Sequence, residues 1–197
     1  SLLLQFHSPA EAQENWKINS FHSDIQVQSD GLVSIVETIA VDFGTLQKHG
    51  IFRNTPYVYQ NKNGSKTYLE FAIRAISRSG NGEKYSKSTS GNDVILKIGD
   101  PDKTISGPQS YTVEYTVKGN LLGYEKFDEL YWNVTGNSWE VPIEKVSANV
   151  TLPKAGVLQT ACYQGTTGSN EDCSVSEVSP TNTLFETTRV LNAGEGM

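Results

Sequence analysis

Tyr111-Thr112-Val113-Glu114-Tyr115-Thr116-Val117-Lys118 alternates without a break. Successive side chains of a strand point to opposite faces, so Tyr111, Val113, Tyr115 and Val117 share one face, and Thr112, Glu114, Thr116 and Lys118 share the other. This is a half-buried strand, with one side for a core and one for water. The same period of two returns in Val146, Ala148, Val150 and Leu152, and in Leu69, Phe71, Ile73 and Ala75. Weaker runs cover 16–18 with 25–27, 32–43, 94–98, 130–134, 158–162 and 183–191. Turn chemistry separates them. Ser29-Asp30-Gly31 supplies the positive φ that a tight hairpin needs, and Asn63-Gly64-Ser65 does the same before the next strand. Residues 79–91 are polar and rich in Gly, Ser and Lys, which predicts a long mobile loop. Helical periodicity is confined to single turns at 10–16 and 124–130. Many short strands with turn signals between them, and no internal repeat, predict an all-β fold: one antiparallel β-sandwich, immunoglobulin-like or jelly-roll-like, with little helix. A partly open barrel fits the same pattern, because alternation does not fix strand order.

Composition agrees with a folded domain. The 197 residues hold 16 Lys+Arg and 22 Asp+Glu, a net charge of −6, with 37% hydrophobic residues. That apolar content excludes a disordered chain, and the length can bury a sizeable core. An acidic balance without a basic stripe argues against nucleic acid as a partner. No run reaches the roughly 18 apolar residues that span a bilayer as a helix.

The first residues include Leu2-Leu3-Leu4 and the small-residue pattern Ala10-Glu11-Ala12, as at a signal-peptidase site. Residues 1–13 are therefore expected to be a truncated signal peptide or a disordered tail, 14–192 the β-sandwich, and 193–197 a tail leading towards a missing membrane-spanning part.

Cys162 and Cys173 are too far apart in sequence for a Cys-x-x-Cys redox or zinc site, and the Gly/Thr/Ser/Asn loop between them is flexible enough to bring them together. A disulfide is expected, with two free thiols as the alternative. It would stabilise by roughly 2–3 kcal/mol in the chain-entropy model and would indicate a compartment outside the cytoplasm. In Tyr131-Trp132-Asn133-Val134-Thr135-Gly136-Asn137-Ser138-Trp139, close to Tyr124 and Phe127, two Trp flank a turn. Trp132, Trp139 and Tyr124 form either an aromatic platform for sugars or protein partners, or a core ring and an end cap. Arg53, in Gly50-Ile51-Phe52-Arg53-Asn54-Thr55-Pro56, is either a clamp for an anion or carboxylate, or the partner of a carboxylate on a neighbouring strand. His7, His22 and His49 lack metal-ligand spacing, and no nucleophile elbow, Walker loop or dinucleotide fingerprint occurs. No metal, cofactor or catalytic residue is expected. A carboxylate pair or a His-based dyad in a cleft would point instead to an envelope hydrolase.

The order of several motifs resembles the extracytoplasmic N-terminal domain of YciQ-like predicted bacterial membrane proteins, the domain of unknown function 2207. The motifs are Trp16-x-Ile18 with Asp24-Ile25, Asp30-Gly31, Val36-Glu37, Gly50-Ile51-Phe52-Arg53 with Pro56, Ile98-Gly99-Asp100, Gly107-Pro108-Gln109-Ser110-Tyr111 with Tyr115, Asp128-Glu129-Leu130-Tyr131-Trp132-Asn133-Val134-Thr135-Gly136 with Trp139 and Pro142, Leu152-Pro153, and the late Asn192-Ala193-Gly194-Glu195-Gly196. The resemblance implies a signal peptide, this ectodomain and then one or more membrane helices, and it supplies no catalytic residues. The expectation is a non-catalytic extracytoplasmic domain, at the cell surface or in the periplasm, tethered through a segment outside this chain. Its partner would be an envelope protein, with a lectin-like glycan-binding role as the alternative.

Overall fold

The computed structural model describes residues 16–60 and 64–197. The signal-like stretch 1–13, His7 and Asn63 lie outside the described residues.

Among the described residues every regular element is a strand. The first nine are β1 (Lys17–Val27), β2 (Val33–Asp42), β3 (Ile51–Pro56), β4 (Val58–Gln60), β5 (Lys66–Tyr68), β6 (Glu70–Arg78), β7 (Asn81–Gly82), β8 (Tyr85–Ser90) and β9 (Asp93–Ile98). They are followed by β10 (Pro108–Lys118), β11 (Leu121–Gly123), β12 (Asp128–Leu130), β13 (Val146–Thr151), β14 (Tyr163–Gln164), β15 (Glu171–Asp172), β16 (Ser174–Ser179) and β17 (Asn182–Glu186). Eight form one sheet in the order β16-β17-β13-β1-β2-β10-β6-β7, three form a second, β3-β9-β8, and the rest pair as short hairpins β4-β5, β11-β12 and β14-β15.

Alternation does what it promised in the central strands. Tyr111, Val113, Tyr115 and Val117 of β10 are buried, as are Val33, Ile35, Ile39 and Val41 of β2 and Phe21, Ile25 and Val27 of β1. The smaller sheet adds Ile51, Val94, Leu96 and Ile98 to the same core, so the two sheets share one apolar interior. Each such side chain contributes about 1.5–3 kcal/mol of burial.

Four expectations are corrected. The large sheet is not purely antiparallel, because β1 pairs with β13 in parallel, Phe21 opposite Val146 and Ile25 opposite Val150. The alternation in β6 breaks at a bulge between the Ala75 and Ile73 pairings with β10, so Ile76 rather than Ala75 turns inward. The polar stretch 79–91 is not one loop: β8 lies within it, exposed on all six residues and held by pairing with β9. The apolar run 158–162 forms no strand, and Leu158 is exposed.

Two glycines set how closely the small sheet meets its flanking loop. Gly50 and Gly99 have φ of +145° and +140°. A Cβ on Gly50 would lie 1.8 Å from the Ile98 carbonyl oxygen, and one on Gly99 1.9 Å from that of His49. Only glycine fits such a backbone crossing.

Candidate functional site

Position 37 interrupts the inward face of β2 with a charge, between Ile35 and Ile39. Arg53 does the same on β3, between Ile51 and Thr55. The two meet in the core, both 0% exposed. Arg53 Nε and Nη2 donate to the two oxygens of Glu37 at 2.7 Å each. Nη2 also donates to the Val134 carbonyl, and Nη1 to the carbonyls of Thr135 and Asn54. All five N–H donors of the guanidinium are thus matched. The Tyr115 hydroxyl donates to Glu37 Oε1 at 2.6 Å, and the Phe21 ring lies under the guanidinium, 5.1 Å from its carbon. Burial opposes the charge on Arg53, but the Glu37 carboxylate outweighs it and raises the pKa above its ordinary value. Burial, and then Glu37, hold the Tyr115 hydroxyl well above the usual range, so it stays a donor.

This cluster fixes the loop 133–137 from below. Trp139, 6% exposed, donates its indole N–H to Thr135 O at 3.0 Å and packs edge-on against Phe21 at 6.3 Å. Arg53 as a surface clamp is therefore corrected: it pairs with a carboxylate, and that carboxylate sits on the opposite sheet. Trp139 belongs to the same interior. Trp132 is half-buried, 6.5 Å from the Tyr115 ring, which in turn stacks on Phe71 at 4.5 Å. Of the four residues singled out in the sequence, only Tyr124 is well exposed.

Of the rings that face outward, Phe52, Tyr85 and Tyr163 stand singly on β3, β8 and β14, and four others belong to the segments near the end of β10. Tyr124 and Phe127, each 48% exposed, stack at 4.8 Å on the tip of the β11-β12 hairpin. Tyr131, 60% exposed, stands edge-on to Tyr59 of β4 at 5.9 Å, and Tyr68 on the paired strand β5 is 62% exposed. Glu125, Asp128 and Glu129 make the hairpin acidic, and Glu129 accepts the Tyr124 hydroxyl at 3.2 Å. The side-chain amide of Asn120, the Tyr59 hydroxyl and the Trp132 indole N–H are buried without partners among the described residues, and so are the side-chain oxygens of Asn54 and Thr55 beside Arg53.

Two other places gather chemistry-bearing side chains. On the outer face of the large sheet, His22 Nδ1 lies 2.8 Å from Ser147 Oγ, and His22 Nε2 lies 3.2 Å from Asp24 Oδ1. The side chains match a nucleophile triad by type, and Ser147 is the second residue of β13, whose backbone pairs with β1 on one side and β17 on the other. A cleft of about 400 Å³ lies between 78–84 and 100–105. Its charges answer one another, with Arg78 bonded to Glu83 and Lys84 at 2.8 Å from Asp100. Among the described residues no three His, Cys, Asp or Glu side chains gather as metal ligands. Cys162 and Cys173 form a disulfide, Cα to Cα 5.3 Å, across the base of the β14-β15 hairpin.

The pattern of the predicted membrane protein (DUF2207) N-terminal domain matches residues 17–197. Uncharacterized protein YciQ of Escherichia coli (strain K12) is 30% identical over 149 residues, which cover 71% of this chain and 24% of that protein. The chain thus spans about a quarter of the length of this relative. Among solved structures, native leukotriene A4 hydrolase from Saccharomyces cerevisiae superposes with a TM-score of 0.54 at 11% identity, over 98% of this chain and 31% of that one. A second structure of native yeast LTA4 hydrolase gives 0.53 at 8% identity, over 96% and 31%. At such identities the likeness concerns the fold alone. No helix among the described residues is long and apolar enough to cross a membrane.

Proposed function

The chain belongs to the family of predicted membrane proteins that share the DUF2207 N-terminal domain, and from that premise we propose that it is a non-catalytic binding domain. Built on a sandwich-like scaffold, it works on the outer side of a membrane and recognises an envelope protein through its aromatic end. The observation that carries this reading is the outward set Tyr68, Tyr124, Phe127 and Tyr131, gathered at one end of a domain whose buried charges are internally paired. Tyr is a frequent anchor at protein interfaces because a rigid ring covers much area at little entropic cost. The disulfide supports an oxidising compartment. Tethering is through a segment outside this chain.

The test is retention of the purified chain on envelope fractions from its own host, with membrane proteins and polysaccharide kept apart. Retention on the protein fraction supports the reading, and retention on neither removes it. Retention on polysaccharide alone favours a second reading, a glycan-binding module. Its specific support is the half-exposed Tyr124 ring, stacked on Phe127 and with a carboxylate at its hydroxyl.

A further inference from the structure

Residues 191–197 lie along the molecule as a strap. Leu191 and Ile143 exchange two backbone bonds of 2.9 Å, Gly194 N donates to Trp139 O at 2.8 Å, and Val134 N donates to Met197 O at 2.8 Å. Gly196 and Gly165 exchange bonds of 2.8 and 2.9 Å. Asn137 Nδ2 stands between them and donates to Gly165 O and Gly194 O at 3.2 and 3.3 Å. The approach is close enough that a Cβ on Gly196 would lie 2.6 Å from Gly136 O.

Two supports hold the strap, and they differ in kind. The loop 133–137 is fixed from within by Arg53, which is wholly buried. The β14-β15 hairpin, which carries Gly165, is only two residue pairs long. A hairpin that short does not hold itself together in water. Besides the bonds of Gly165 to Gly196 and Asn137, its non-covalent attachments are the buried Gln164 side chain, bonded to the Thr188 hydroxyl and amide, and the surface Arg189, which pairs Glu171 with Glu195 of the strap, a kind of contact worth little. What closes it is the disulfide, flanked by the Cys173 N–H donating to Cys162 O at 3.1 Å. Both cysteines are partly exposed, with exposed residues on either side of each, so a small reductant reaches them.

We propose that the disulfide between Cys162 and Cys173 is a redox latch on this strap. While it is intact, Gly165 is held against Gly196. When it is reduced, the hairpin loosens and Gly165 parts from Gly196, while 194–197 keep their bonds to Trp139, Val134 and Thr135 and the two sheets stay folded. The reductant is a dithiol. Its thiolate attacks one sulfur, the S–S bond opens through a mixed disulfide, and the second thiol closes the reductant into its own disulfide. Two electrons and two protons pass to the pair, leaving two cysteine thiols. The redox poise around the domain then decides whether the strap is held on both sides or on one, independently of what the aromatic end binds.

Hydrogen exchange on the 197-residue chain, with and without dithiothreitol at one pH, tests this, with the thiol state read by alkylation and mass. The amides of Gly165 and Gly196 should exchange about tenfold faster after reduction, the change expected for losing one or two backbone bonds. Those of Ile39 and Val113, deep in the large sheet, should keep their rates. The doubly substituted Cys162→Ser, Cys173→Ser chain should show the same pattern without reductant. Unchanged exchange at Gly165 and Gly196 with both thiols alkylated overturns the latch. So does acceleration spread evenly through β1, β2 and β10, which would make the disulfide a staple of the whole fold.

Discussion

Arg53 carries a full charge in a place water does not reach, and its surroundings repay the desolvation with five matched donors and a bidentate carboxylate. Removing either partner leaves the other charge buried alone, which costs about 3–5 kcal/mol. Arg53→Ala should therefore lower the unfolding free energy by that amount in a urea titration, and a loss below about 1 kcal/mol would show the pair to be dispensable. Tyr115→Phe removes one donor to Glu37 and should cost about 1–3 kcal/mol by the same titration. The class of Arg53's partner was legible in the sequence, as one of two readings, but its identity was not. Glu37 lies on a strand that never pairs with β3, and only the shared inward parity of Ile35, Glu37 and Ile39 with Ile51, Arg53 and Thr55 hints that the two charges face one another. Trp139 illustrates the opposite limit. A Trp beside a Gly/Asn turn reads as packing more readily than as a platform, and the indole N–H reaching Thr135 O inside the loop is what the sequence does not show.

At the scale of the element, the regular strands were readable and the irregular ones were not. β10 and β13 carry a readable period because one face of each meets the core, although Thr116 on the other face of β10 is buried too, whereas β8 is exposed on both faces and carries no period to read. The bulge in β6 inverts parity from Arg74 onward, and a pattern of alternation cannot announce its own interruption. The crossing of Gly50 with Gly99 is where β3 and β9 begin to pair, so Gly99→Ala forces backbone apart as well as adopting a strained φ. It should lower the melting temperature by more than 5 °C, roughly the effect of 1–2 kcal/mol in a domain of this size, and an unchanged melt would show that the two loops can separate freely. The start of the strap has its own pH dependence. Arg189 bonds to both Glu171 and Glu195 and holds each carboxyl below its usual value, and Glu195 also accepts the Asn192 amide at 2.7 Å. Depressed carboxyl pKa values stabilise the folded arrangement above the unfolded value near 4.3, and that contribution fades as pH falls through the lower folded values. Protection of the Asn192 amide, corrected for intrinsic exchange, should thus be constant near neutrality and decline below about pH 4. Protection that persists to about pH 3 would show the ion pairs to be idle.

For the whole molecule, composition and alternation led to an all-β domain with one core, and the order of short motifs led to its family. Strand order lay beyond both, because the parallel pairing of β1 with β13 joins segments about 125 residues apart, through side chains that any neighbouring strand would satisfy. On the outer sheet face, that same pairing is what brings Ser147 to His22 and Asp24 of β1. The rings split as well. Phe21, Tyr111, Tyr115 and Trp139 became interior, while Tyr68, Tyr124, Phe127 and Tyr131 near the end of β10 stayed outside, as did Phe52, Tyr85 and Tyr163 on β3, β8 and β14. The most direct measurement is the affinity of the chain for the membrane-protein fraction of its own host's envelope, compared with a Tyr124→Ala, Tyr131→Ala variant, with a melting curve for each. The account predicts binding weakened at least about tenfold with the melting temperature unchanged, since both side chains are exposed and anchors of this kind are worth upwards of 1 kcal/mol each. Equal affinity in the two chains would contradict it and return the search to the other faces of the domain.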